Sequence, residues 1–396
     1  MRAFSVKAVS TTATGLAALA LAVPASASQR PVCPGPAAPG DSRCAAHVVT
    51  NGKGTPQATT APKGYGPAQF RGAYGLPSAA PAGQTIAIVD AYDDPKIASD
   101  LNNYSSQFGL PQCNSTNPCF EKVNQNGSAV GPFPQANSGW SLEIALDVEV
   151  GHAICPNCKI LLVEANSNSL ANLAASVNTA AKLGATEISN SYGGSEFSGE
   201  LSETYAAPYN HPGIAVTVSS GDSGYGSFGF PAALSSVITV GGTTLTLGPE
   251  NTYGGESVWS GAGSGCSSYV GAPSWQGFLA ATCSGKRGTA DVAADANPST
   301  GAAVYDTVRY QGRSGWFQVG GTSLSSPLAA AVYALAGGLP AETSAASGLY
   351  THLGEAAVLH DVTSGSNGSC STIMCKGAVG YDGPTGVGTP KGLGAF

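Results

Sequence analysis

The sequence predicts an α/β protein with a mostly parallel central sheet and helices on both faces. Two observations carry that expectation. Short β-rich runs alternate with stretches of helical period, which is the pattern of a parallel sheet covered by helices. Gly, Ala, Ser and Thr are also abundant, which suits tight turns and close strand–helix packing. In order, "TIAIVDAY" (85–92) and "KILLVEA" (159–165) read as strands. Leu170, Leu173, Val177 and Ala181 then repeat at helical spacing through 169–185. Strands follow at 186–192, 214–220 and 235–243, with a helical stretch near 198–209. The last strand, "WFQVGGTS" (316–323), runs into the small-residue helix "LSSPLAAAVYALAGG". Working residues of such sheets gather at the carboxyl ends of the strands.

The chain start reads as a secretory signal peptide over 1–27: a basic "MRAFSVK", an apolar "GLAALALAV" and a "PASAS" cleavage site. No later stretch reaches the roughly 18 unbroken apolar residues of a membrane span, so export without a membrane anchor is expected. Residues 28–64, rich in Pro and Ala and without apolar periodicity, read as an extended arm. One domain is expected from 65 to 396. Charged residues are only 10% of the chain, the net charge is −7 and no basic patch exists, which excludes nucleic acid as a partner. Ten cysteines in an exported chain imply disulfides. They fall as close neighbours, 33/44, 113/119, 155/158, 266/283 and 370/375, so five local bridges are expected. "CPNC" has no second C-x-x-C to complete a zinc site and no thioredoxin-like surroundings.

The chemistry-bearing stretches begin with "GGTSLSSP", where Ser323 stands at the start of a helix after two glycines. Ser323 is either an N-cap or a nucleophile whose oxyanion is held by free helix N–H groups. A nucleophile needs a base. No His-Gly-Thr run follows "IAIVDAY", and His152 is the one histidine in a plausible place. "SLEIALD" offers another base, because Glu143 and Asp147 lie one helical turn apart and can share a proton. "SSGDSG" puts Asp222 at the end of a β-run, either as a turn former or as a protonated acid facing an oxyanion.

Glu143, Asp147, Asp222 and Ser323, in this order and in these strings, resemble the sedolisin family of serine-carboxyl peptidases, from "YGPAQFRGAYG" (65–75) almost to the C-terminus. The resemblance implies a subtilisin-like fold and an endopeptidase favouring acidic pH. It makes Ser323 the nucleophile, Glu143 the base, Asp147 its supporting acid and Asp222 the oxyanion acid. It also implies a calcium site, with carboxylates from Asp361 and Asp382 and carbonyls from Val362, Ala378 and Gly380. The substrates would be proteins or peptides, and the enzyme a secreted monomer. The chain departs from the family in having only some forty residues where a long folded propeptide is usual, and in Ala378 where glycine is usual. Two rival readings are a subtilase using His152 as base and a non-catalytic exported binding protein on the same scaffold.

Overall fold

The computed structural model describes Met1, residues 28–340 and residues 346–396; the expected signal peptide over 1–27 lies, apart from Met1, outside the described residues. The chain opens with short strands β1 (Gln29–Pro31), β2 (Arg43–Cys44), β3 (His47–Val49) and β4 (Ala58–Thr59). Helix α1 (Pro67–Tyr74), strand β5 (Thr85–Ala91), helix α2 (Ile97–Phe108) and strand β6 (Phe120–Asn124) follow. Then come helix α3 (Ser138–Ile154), strand β7 (Lys159–Ala165), helix α4 (Leu170–Lys182), β8 (Glu187–Asn190) and β9 (Tyr192–Gly193). The second half holds β10 (Ala215–Ser219), β11 (Ile238–Leu247), β12 (Tyr253–Val258), β13 (Cys266–Gly271) and β14 (Lys286–Gly288). It closes on the site with β15 (Val292–Asp295), β16 (Ala302–Tyr310), β17 (Arg313–Gly320) and helix α5 (Thr322–Ala336).

The central sheet runs β12-β11-β10-β8-β5-β7-β6, with β15 also on β11. Every ladder in it is parallel except β11–β12. The expected α/β architecture is therefore what the chain forms. β5 lies between β7 and β8, so the chain order reverses across it, and the carboxyl ends of β5, β8 and β10 open onto one crevice.

Helix α3 explains the acidic pair that the sequence put in an apolar run. Asn137 caps it, its side chain accepting from the N–H groups of Gly139 and Trp140. Every residue from Gly139 to Ile154 is buried, so this helix has no solvent face and its acids are interior groups. It packs against α5 and against β5, β7 and β16, while α4 packs against β5, β7 and β8.

Residues 28–64 are extended, and they are built into the body. β3 lies between β1 and β17 in an antiparallel sheet that β4 and β16 also join, while β2 pairs with β9. Val32, Ala45, Ala46, Val48 and Val49 are buried there. The helix expected near 198–209 is a set of turns ending in one 3-10 turn, Ala207–Tyr209. Gly199, with φ of 99°, and Pro208 break the helical path. All five expected disulfides are present, 33–44, 113–119, 155–158, 266–283 and 370–375, so Cys155 and Cys158 are neither a dithiol nor zinc ligands.

Candidate active site

Ser323 sits in the first turn of α5, just after Gly321. Gly321 has φ of 106°, and a side chain there would strike Ala45 O and Asp222 Oδ2. Pro327 lies four residues further on and has no N–H, so it leaves the Ser323 carbonyl outside the helix ladder. That carbonyl accepts instead from Ser191 Oγ at 3.4 Å.

The Ser323 hydroxyl donates to Glu143 Oε1 and is also 3.1 Å from the Ser191 carbonyl. The other Glu143 oxygen and both Asp147 oxygens have no hydrogen-bond partner, and both side chains are fully buried. Burial drives the Glu143 carboxyl far above the usual carboxylate range, and the nearby Asp147 and Asp90 push it further. Asp147 is raised by burial as well. The two acids and Asp90 therefore titrate as one proton-sharing unit.

Asp222 comes to the same place from the end of β10. Its Oδ1 accepts from the Thr322 N–H and the Thr322 hydroxyl, both at 2.8 Å. Its Oδ2 has no partner. Burial pushes this carboxyl up to about 7, so it is protonated, and a donor, in mildly acidic solution.

The structure thus brings Ser323, Glu143, Asp147 and Asp222 together. It does not bring His152 to them: His152 is buried further along α3, its Nε2 2.9 Å from the Pro111 carbonyl and its pKa lowered by burial. Two further residues belong to the constellation. Asp90, at the carboxyl end of β5, is fully buried with neither oxygen partnered, and its charge bears on Glu143. The available signal was an acid closing the apolar run "TIAIVDAY", a position where a buried charge is costly. Nothing in the local sequence marks Ser191, whose two contacts with Ser323 come from the placement of β8 beside α5.

A cleft of about 670 Å3 opens beside these groups, lined by Arg43–His47, Gly193–Glu196, Ser219–Ser223 and Gly226–Phe230 among others. His47 at its wall lies 3.8 Å from Asp222 Oδ2 and edge-on to Trp259. Burial, followed by the Arg43 charge, lowers its pKa to about 4, so the contact with Asp222 is no ion pair at higher pH.

The residues expected around a cation lie away from this cleft. Asp361 Oδ2 accepts from the Gly380 N–H at 3.0 Å, and Asp382 Oδ2 from the Ala378 N–H at 3.1 Å. Both carboxylates thus hold the 378–382 turn, in which Gly380 takes φ of 82°. Val362 is buried beside Asp361. Burial pushes Asp382 up to about 7, and the Asp361 charge adds to the shift. Two carboxylates close enough for the charge of one to raise the other form a pair of oxygen donors whose repulsion a hard divalent cation would relieve.

The parallel sheet and a serine at the mouth of α5 define the subtilase class, and the model of the subtilase family matches residues 129–353. Sedolisin of Pseudomonas sp. (strain 101) is 27% identical over 84% of this chain and 60% of its own length. Xanthomonalisin of Xanthomonas sp. (strain T-22) is 31% identical over 86% of this chain and 46% of its own, and kumamolisin of Bacillus sp. (strain MN-32) 30% over 85% and 63%. The structure of Pseudomonas sedolisin complexed with two molecules of pseudo-iodotyrostatin matches with a TM-score of 0.68 at 28% identity, over 83% of this chain and 96% of that one. Within the subtilase fold the chain belongs to the sedolisin family of serine-carboxyl peptidases. It spans 46% to 63% of the length of these curated relatives.

Proposed function

We propose that the chain is a serine-type endopeptidase that hydrolyses peptide bonds of proteins at acidic pH. The observation that carries this reading is the hydrogen bond from Ser323 Oγ to Glu143, a carboxylate base where a histidine base would be charged in acid. Glu143, ionised when the proton shared by the three acids rests on Asp147 or Asp90, takes the proton as Ser323 Oγ attacks the scissile carbonyl. The Ser323 N–H and the protonated Asp222 donate to the oxyanion. Glu143 then protonates the leaving amine, and water, losing a proton to Glu143, releases the acyl group from Ser323.

The peptidase is exported, in keeping with its leader sequence and five disulfides, and acts as a monomer. Among the described residues no helix is long and apolar enough to cross a membrane.

Digestion of a denatured protein at about pH 4 and about pH 8, read by mass spectrometry, tests the activity. Fragments should appear in acid and disappear as pH rises through about 7, where Asp222 loses its donor proton. Cleavage that persists in Ser323→Ala, or that grows toward alkaline pH, would overturn this reading.

Asp361 and Asp382, with the carbonyls of Val362, Ala378 and Gly380, would hold calcium, whose charge would tie the C-terminal turn together. A chelator should therefore lower the melting temperature, and added calcium should restore it. Asp382→Asn should melt lower than the parent with calcium present and show no chelator effect.

A further inference from the structure

We infer that the Thr322 hydroxyl is a positioning group for the reaction: it dictates which oxygen of Asp222 carries that acid's proton, and so turns the proton toward the cleft. This rests on the peptidase reading above and adds to it a residue that takes no part in bond making.

Thr322 opens α5 and is fully buried. A Cβ added at Gly242 would come within 3.2 Å of both Thr322 Cγ2 and Trp259, and within 2.6 Å of Ala296, so the threonine methyl is seated against a closed wall. A β-branched side chain has few ways to lie, and fixing the methyl fixes the direction of the hydroxyl.

That hydroxyl has a single proton and two polar neighbours. The Gly221 N–H donates to Thr322 Oγ1 at 3.1 Å, and an N–H can only donate. The Thr322 proton is therefore directed at Asp222 Oδ1, 2.8 Å away. The Thr322 N–H reaches the same oxygen, also at 2.8 Å, so Oδ1 accepts twice. An acid proton on Oδ1 would leave the Thr322 hydroxyl proton without an acceptor, which is costly in a buried site. The Asp222 proton is left to Oδ2, which has no hydrogen-bond partner. Asp222 lines the cleft, and a Cβ at 321 would stand 2.4 Å from Oδ2, so the glycine there keeps this oxygen open.

The charged groups around Asp222 do not make the same choice. Arg43 and His47 face it from the N-terminal arm, and Glu143 faces it from α3. His47 Nε2 is 3.8 Å from Oδ2, beyond hydrogen-bond reach, and the ring is neutral above about pH 4. Among the described residues, hydrogen bonds distinguish the two oxygens only through Thr322.

A donor on a carboxylate favours the ionised form. Without the hydroxyl, Asp222 should hold its proton to higher pH, and the proton is free to sit on either oxygen, including the one turned away from the cleft.

The test is steady-state hydrolysis of a peptide from about pH 3 to about pH 9 by the parent, Thr322→Val, Thr322→Ala and Thr322→Ser. Valine keeps the shape, and alanine removes the same hydroxyl with less bulk should the valine variant not fold. Both should lower kcat at acidic pH by about 10-fold to 100-fold with KM unchanged. In both, the alkaline fall of activity should move up by about half a pH unit or more. Serine keeps the hydroxyl and should restore both values. An alkaline limb that stays in place or moves down in the valine and alanine variants overturns the inference, whatever their kcat. A second measurement needs no activity. The infrared difference between Ser323→Ala and Ser323→Ala with Asp222→Asn isolates the protonated Asp222 band, whose titration should move up when Thr322→Val is added. An unmoved titration overturns the inference. A parent that cleaves no peptide at any pH overturns the peptidase reading, and the infrared titration then decides the inference by itself.

Discussion

Glu143→Gln should lower kcat on a peptide substrate at acidic pH by about 10^4-fold or more, while His152→Gln leaves it unchanged. Glutamine matches the size of glutamate and can still accept from the Ser323 hydroxyl, so the packing of α3 survives. It cannot take the proton, and an alkoxide has to form for the attack to proceed. Glutamine is also neutral, so it adds no charge to an interior that already holds Asp90 and Asp147. Single-turnover kinetics with equal melting temperatures would isolate the chemical step. Retention of more than about a tenth of the parent rate in Glu143→Gln would transfer the role of base to another group.

The second large effect is on stability. Burial raises Glu164 to about 9, even with Lys122 at 3.5 Å, and it raises Asp306 to about 9 and Glu187 to about 8. In the unfolded chain these groups release their protons near pH 4 to 5. Between that value and their folded values the native state binds more protons than the unfolded state, so stability falls as pH rises. Each such group costs at most about 1.4 kcal/mol per pH unit over its window. The melting temperature should be highest near pH 4 to 5 and fall by roughly 5–10 °C or more toward pH 8. Calorimetry of the Ser323→Ala variant, which cannot digest itself, measures this cleanly. A melting temperature that is flat or rising over that range would show that these carboxyls ionise inside the folded protein without cost.

The parts of the site that were legible in the sequence are those that a local string can carry. Ser323 follows a glycine pair at a strand-to-helix junction, Asp222 closes a β-run, and Glu143 and Asp147 stand one turn apart in an apolar helix. Asp90 and Ser191 depend on which strands become neighbours: β5 lies between β7 and β8 although β6 and α3 intervene in the chain. No periodicity in either run encodes that order. The same holds for residues 28–64, whose strands are two or three residues long and of which β2, β3 and β4 find partners in β9 and β17, far along the chain. A period-2 pattern needs about four residues before it can be read. The turn region 198–209 failed for a local reason, because Gly199 and Pro208 outweigh the helix-forming Glu, Leu and Ala residues between them.

The five disulfides bridge residues only 3 to 17 positions apart. None ties distant regions of the polypeptide to each other, so outside those small rings covalent unity rests on the backbone alone. A single hydrolysed bond there yields two molecules that separate in denaturant with every cystine intact, and gels run with and without thiol should report the same fragments. A protein with local bridges alone carries ample crosslinks and still comes apart at one nick.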